Sequence, residues 1–183
     1  MHRFLGLLLL LVVALAPSEG HAKDLAGRLG IGIEQGLSGV SGLAIRYFPS
    51  EAIAVSATAG LDLTFDSTEG TDDLAVGWQG SMGVAFHVAR SLHAHLGLAP
   101  RLTLARNPGR SVQVNIELPL FLEFFLSDHF SVGAATGILI NIVPDDGPSL
   151  SSPGTGGTQT NGAVGIGFGA GSVTSTLAVL YYF

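Results

Sequence analysis

The chain has 183 residues, enough for one domain, with a net charge of −6, charged residues at 12% and hydrophobic residues at 47%. About a quarter of the residues of a soluble protein are charged, so this composition argues against an ordinary solvated exterior. No basic stripe exists, which excludes nucleic acid as a partner, and the lack of cysteine excludes a disulfide framework, a thiolate metal site and a lipidated N-terminal Cys.

Residues 1–22 read as a secretory signal peptide that is removed. His2 and Arg3 form its polar start, Phe4 to Ala16 its apolar run, and Gly20-His21-Ala22 its small-residue cleavage site. Cleavage after Ala22 is preferred to cleavage after Ala16, which Pro17 would follow. The competing reading is an uncleaved anchor, but the run of about 13 apolar residues falls short of the ~20 that a spanning helix needs. Residues 23–183 then form a single domain.

From Gly27 onward the apolar residues recur with period two, the pattern of strands with two unlike faces. Leu29, Ile31 and Ile33 alternate with Gly30, Gly32 and Glu34; Leu43, Ile45 and Tyr47 alternate with Ala44, Arg46 and Phe48. Residues 53–65 set Ile53, Val55, Leu61, Leu63 and Phe65 against Ser56, Thr58, Asp62 and Thr64, and residues 76–88 set Trp78, Met82, Val84 and Phe86 against Gln79, Ser81, Gly83 and His87. Residues 92–104 place Leu92, Ala94, Leu96, Leu98, Leu102 and Leu104 opposite His93, His95, Gly97 and Arg101. The clearest run, 112–125, has Val114, Ile116, Leu118, Leu120, Leu122 and Phe124 facing away from Asn115, Glu117, Phe121 and Glu123. Residues 130–142 and 173–183 complete eight predicted strands.

Every charge on these strands lies on the polar face. That face is otherwise Gly, Ala, Ser and Thr, which suits the filling of a narrow lumen better than a solvated exterior. A lipid-facing charge at the bilayer midplane costs roughly 2–4 kcal/mol, so its absence from the apolar face fits a membrane wall. Connections alternate in length: 49–51, 89–91 and 127–129 are short, whereas 36–41, 66–73, 106–110 and 144–160 are longer. Tyr47, Phe86, Phe124, Phe130, Tyr181 and Phe183 collect at the short-turn end, and Phe65 and Trp78 at the other, like two interfacial girdles. The expected fold is all-β: an antiparallel, eight-stranded, up-and-down transmembrane β-barrel in the cell outer membrane. Ile166 and Phe168 have the opposite parity to Tyr181 and Phe183, which predicts a bulge or break between Gly169 and Ser172.

The end of the chain resembles the insertion signal of outer-membrane barrels: a polar residue, a glycine and two aromatics spaced by one, filled here by Thr176, Ala178, Tyr181 and Phe183, with Ala178 in place of the usual Gly. Residues 24–183 resemble small eight-stranded barrels of the OmpA/OmpX type, without the peptidoglycan-binding half of full OmpA proteins. The resemblance implies outer-membrane lipids, lipopolysaccharide and the barrel-insertion machinery as partners, and no cofactor.

Candidate chemistry centres on His87, His93, His95 and Glu123, expected to meet in the lumen near the periplasmic mouth. Two imidazoles and a carboxylate can ligate Zn²⁺ or supply a general base; a hydrogen-bonded polar plug is the preferred reading, and no metal is assigned. Glu34, Arg46, Asp62, Arg101 and Glu117 are expected to form luminal ion pairs, since an unpaired buried charge is costly. Asp66, Glu69, Asp72 and Asp73, with Asp145 and Asp146, give acidic outer loops that read as solvated rather than as a Ca²⁺ site. Gly154–Gly171 lacks the surroundings of a nucleotide loop. The functional expectation is a non-enzymatic barrel with a structural or surface-interaction role and no open pore. The alternatives are a membrane-embedded lipid-modifying enzyme using a luminal or rim His, for which no Ser or Cys nucleophile is evident, and a soluble periplasmic barrel with an apolar interior.

Overall fold

A computed structural model describes residues 23–66, 73–148, 161–168 and 177–183. The predicted signal peptide, Thr176, Glu69, Asp72 and most of Gly154–Gly171 lie outside the described residues. The described chain is all-β: β1 Leu29–Gln35, β2 Ser41–Ser50, β3 Ile53–Asp66, β4 Asp73–Arg90, β5 Ala94–Leu98, β6 Arg101–Arg106, β7 Gln113–Phe125, β8 Phe130–Ile142, β9 Val164–Phe168 and β10 Leu177–Tyr182.

All pairings are antiparallel, and they close on themselves. Neighbours run β1–β2–β3–β4, then β5 and β6 together, then β7, β8, and β9 with β10; β10 returns to β1. Ten strands therefore occupy eight positions around one ring. A closed ring leaves no free edge along its pairs, which removes the aggregation hazard of an open sheet.

The run predicted as one strand over 92–104 is two pieces. Pro100 has no N–H to donate, and the ladder breaks there, although Ala99 N still donates to Pro119 O at 3.0 Å and Pro100 O accepts from Val84 N at 3.1 Å. β5 and β6 both lie between β4 and β7. Near the turn the register of β4 on β5 skips a residue between His87 and Ala89, a bulge at Val88 that shifts parity below it. Ala94 keeps outward parity, paired with the exposed Phe124, although its own small side chain is covered, and Leu92 and His93 belong to the turn.

The last predicted strand is described in two parts, β9 and β10. Phe168 pairs with Ile138 and Leu177 with Ala134. Nine positions on one side thus match four on the other, an odd excess of five. An odd excess reverses parity, so Ile166 and Tyr181 both face outward, 67% and 47% exposed, despite their opposite numbering parity. The residues expected to carry the bulge or break, between Gly169 and Ser172, lie outside the described residues.

Period-two alternation places the two faces of the wall. Leu43, Ile45, Val55, Leu61, Met82, Ile116, Leu118 and Phe124 are exposed on the outside. Glu34, Arg46, Arg101, Glu117 and Glu123 are buried inside. The apolar core is also inside, at the short-turn end: Leu25, Phe48, Phe121, Phe125, Leu180 and Tyr182 with Ala44, Ala54, Ala85 and Ala99. The structure thereby corrects the expectation of a mainly polar interior near that mouth. Small residues make room for the large ones. A Cβ on Gly30 would strike the Tyr182 ring, and one on Gly32 would strike the Val179 carbonyl across the β1–β10 pair.

Candidate functional site

The interior holds one connected ion network. Glu34 from β1 accepts from Arg101 Nη1 of β6 at 2.7 Å and lies 3.6 Å from Arg46 Nη2 of β2. Arg46 Nη1 reaches Glu123 Oε2 of β7 at 3.1 Å, and Arg101 Nε lies 3.7 Å from Glu117 Oε2. Two arginines thus sit among three carboxylates, all five at most 9% exposed. Hydroxyls supply the remaining donors: Ser131 Oγ and Tyr182 Oη each donate to Glu123 Oε1 at 2.6 Å. At this depth a carboxylate left short of donors would cost several kcal/mol. The register explains the meeting: Arg101 faces Glu117 directly across β6–β7.

Above the network, away from the short turns, the β1–β2 turn folds into the ring. Gly39, at φ +92°, allows the tight return that lets Gly36 N donate to Val40 O at 2.7 Å. Leu37 N and Ser38 N then donate to Glu117 Oε2 and Oε1 at 3.1 and 2.8 Å. Leu37, Ser38 and Val40 are fully buried there. Below the network, the leading segment closes the other mouth. Leu25 is completely buried, Lys23 donates to the Ser127 carbonyl and stands 3.5 Å from Asp128, and its ammonium lies 4.7 Å from the Phe125 ring centroid. An interior void of about 20 Å³ is bounded by Glu34, Arg46, Arg101 and Glu123 among others. That is room for about one water.

The predicted histidine cluster is only partly assembled. His87 and His95 are buried and touch edge to face, 5.2 Å between ring centroids, among Phe48, Phe121 and Phe125. Among the described residues no hydrogen-bond partner reaches either ring nitrogen of His95. His95 is in register with Glu123, but the Glu123 carboxylate turns to Arg46, Ser131 and Tyr182 instead. His93, expected inside and opposite His87, is exposed in the β4–β5 turn, because the turn is centred at Leu92 and His93 rather than near Arg90, so that Arg90 pairs with His95 and His87 with Gly97. Among the described residues no group of three or more His, Asp or Glu is arranged to hold a metal ion.

Of the expected ion-pairing residues, Glu34, Arg46, Arg101 and Glu117 join one network, and Glu123 is its fifth member. Asp62 does not join. It has inward parity but stands on the upper part of β3, where it is exposed. Of the terminal aromatics, Tyr181 and Phe183 are outward at 47% and 66% exposure, and Ala178 is half-buried.

Sequence reasoning misses Tyr182, Lys23, Leu25 and the 36–40 turn as parts of the interior. Tyr182 carries a usable signal, since it has the parity opposite to Tyr181 and Phe183 and must point inward. The inward turn carries no such signal, because the acceptor that draws it in lies 80 residues away at Glu117.

At the end opposite the short turns, two loops are tied together. Arg110 Nη1 donates to Asp146 O at 2.9 Å, and Ser111 N donates to Asp146 Oδ2 at 2.5 Å. The Ser111 amide holds the Asp146 carboxyl below the usual aspartate range.

Compared with known proteins, the chain matches no protein family, no curated protein and no solved structure.

Proposed function

We propose that the chain is an integral outer-membrane β-barrel with a structural or surface-interaction role and no open pore. One observation carries the reading: the ring is inside out relative to a soluble protein. Leu43, Leu61, Met82 and Val88 are each at least 66% exposed, while two arginines and three glutamates are sealed within. Large exposed apolar surfaces on soluble proteins rarely exceed a few hundred Å²; here the apolar side chains encircle the ring. Lipid satisfies such a surface, and a closed ring satisfies the backbone, as spanning a bilayer demands. The thirteen residues of β8, at about 3.3 Å each and a tilt near 40°, climb roughly 30 Å, the thickness of a hydrocarbon core.

The closed interior supports the absence of a pore. An eight-stranded ring is just wide enough for side chains; here the 36–40 turn and the Lys23–Leu25 segment occupy its two mouths. The outward Tyr181 and Phe183 fit recognition by the insertion machinery, and the apolar belt fits contact with outer-membrane lipids and lipopolysaccharide.

The test uses the cysteine-free background. In the chain refolded into vesicles, single variants Leu102→Cys and Leu118→Cys react with a thiol probe dissolved in the acyl phase, whereas Arg101→Cys and Glu117→Cys do not. The reverse pattern, or a protein recovered only in the soluble periplasmic fraction, overturns the proposal.

A further inference from the structure

On the outer wall between β3, β4 and β6 lies a groove of about 290 Å³, formed by Ala57, Gly80, Trp78, Met82, Leu102 and Leu104. Its shape follows from register. Gly80 pairs with Ala59 on one side and Leu104 on the other, and Met82 pairs with Ala57 and Leu102. The small residues form the floor, and the sulfur, leucine and indole side chains form the walls. The groove ends upward at Trp78, which is in register with Arg106.

Arg106 sets this groove apart. Sequence reading leaves it in the 106–110 connection, but it ends β6, and between the short turns and the opposite rim it is the one charged residue of outward parity among the described strand residues, which corrects the expectation that every strand charge lies on the polar face. Its guanidinium Nε donates to Arg110 O at 3.0 Å, which brings the exposed Arg110 beside it. Arg110 in turn bonds the Asp146 carbonyl, while the Asp146 carboxylate turns to the Ser111 amide. Among the described residues neither arginine lies within ion-pair distance of a carboxylate, although the Arg110 charge adds to the Ser111 amide in stabilising the ionised Asp146. Two exposed arginines thus stand at one rim of a protein whose net charge is −6, the Arg106 side chain bonded to the main-chain carbonyl of Arg110. Guanidinium forks match phosphate geometry, and an indole is at home where acyl chains meet headgroups.

We propose that this groove binds one lipid of the lipopolysaccharide class: an acyl chain lies between Met82, Leu102 and Leu104, and a glycolipid phosphate sits on Arg106 and Arg110. The inference rests on the membrane reading above and adds a specific site to it.

Trp78 is the sole tryptophan of the chain, so its emission reports the groove directly. The folded protein in phosphatidylcholine nanodiscs is titrated with lipid A and with its dephosphorylated form. Lipid A shifts Trp78 emission saturably, and the dephosphorylated form requires about tenfold more. The double variant Arg106→Gln/Arg110→Gln weakens lipid A by about tenfold and leaves the dephosphorylated form unchanged. Ala57→Phe, which fills the floor, weakens both. Leu43→Phe, on β2, changes neither. A non-saturable signal, equal titration by the two lipids, or indifference to the arginine changes overturns the site while leaving the membrane reading intact. Failure of the wild-type chain to enter nanodiscs overturns both.

Discussion

Glu123 accepts three hydrogen bonds from three strands, and each donor depends on its charge. Arg46, Ser131 and Tyr182 come from β2, β8 and β10. Glu123→Gln keeps the shape but leaves Arg46 with only the longer Glu34 contact, so it should cost about 3–5 kcal/mol in urea unfolding from lipid vesicles. Tyr182→Phe removes one donor and should cost about 1–3 kcal/mol by the same measurement. If the two effects add fully in the double variant, the bond between them contributes nothing. His93 gives the opposite expectation. It is exposed, so His93→Ala should change stability by under about 0.5 kcal/mol. At the loops opposite the short turns, the Ser111 amide stabilises the charged form of Asp146 and depresses its pKa. A depressed carboxyl contributes to the folded state above its unfolded pKa and loses that contribution as pH falls through the folded value. The Ser111 amide resonance should therefore shift with a midpoint below that of an unperturbed aspartate. Asp146→Asn should remove that titration.

The elements explain how the interior is closed. The turn between β1 and β2 bends inward because Glu117, from the far wall, offers a carboxylate to two adjacent amides. In Glu117→Ala the acceptor is lost and Arg101 keeps only Glu34. Hydrogen exchange at Leu37 and Ser38 should accelerate by about 10- to 100-fold, the size of one or two lost bonds, while amides of the β7–β8 ladder keep their protection. Uniform loss of protection would show that the turn is not a separate unit. Across the β1–β10 closure, Gly32 brings the strands so close that a methyl would meet the Val179 carbonyl. Gly32→Val should therefore leave little folded protein. Pro100 and the Val88 bulge act locally: they break the ladder and shift parity but leave β5 and β6 between the same two neighbours.

At the scale of the molecule, the outer belt and the inner network are two results of one alternation. Burying five charges is repaid only if they pair, and an exposed belt of leucine, isoleucine and phenylalanine is unusual for a surface in water, which the proposed bilayer would cover. The folded ring should consequently migrate differently on a gel before and after boiling, and it should show no conductance in a planar bilayer. Steady channels from the wild-type chain would contradict the packed interior.

Most of the wall is legible along the chain, because strand parity is a local property. Ile116 and Leu118 need no distant partner to be assigned outward, and Glu117 between them is inward by the same rule. The ion-pairing candidates are legible for the same reason, since a charge of inward parity must find a partner. The reading fails where local parity is broken or where contacts are made at long range. His93 leaves the interior because the chain turns at Leu92 and His93 rather than near Arg90, and Asp62 stays out because of its height on β3. Alternation along the chain thus determined which face of each strand is apolar. Only the tertiary structure decided which carboxylate meets which arginine, that a turn and the Lys23–Leu25 segment close the mouths, and that Tyr182 bonds Glu123, because register and ring closure bring together residues whose separation in sequence carries no local signal.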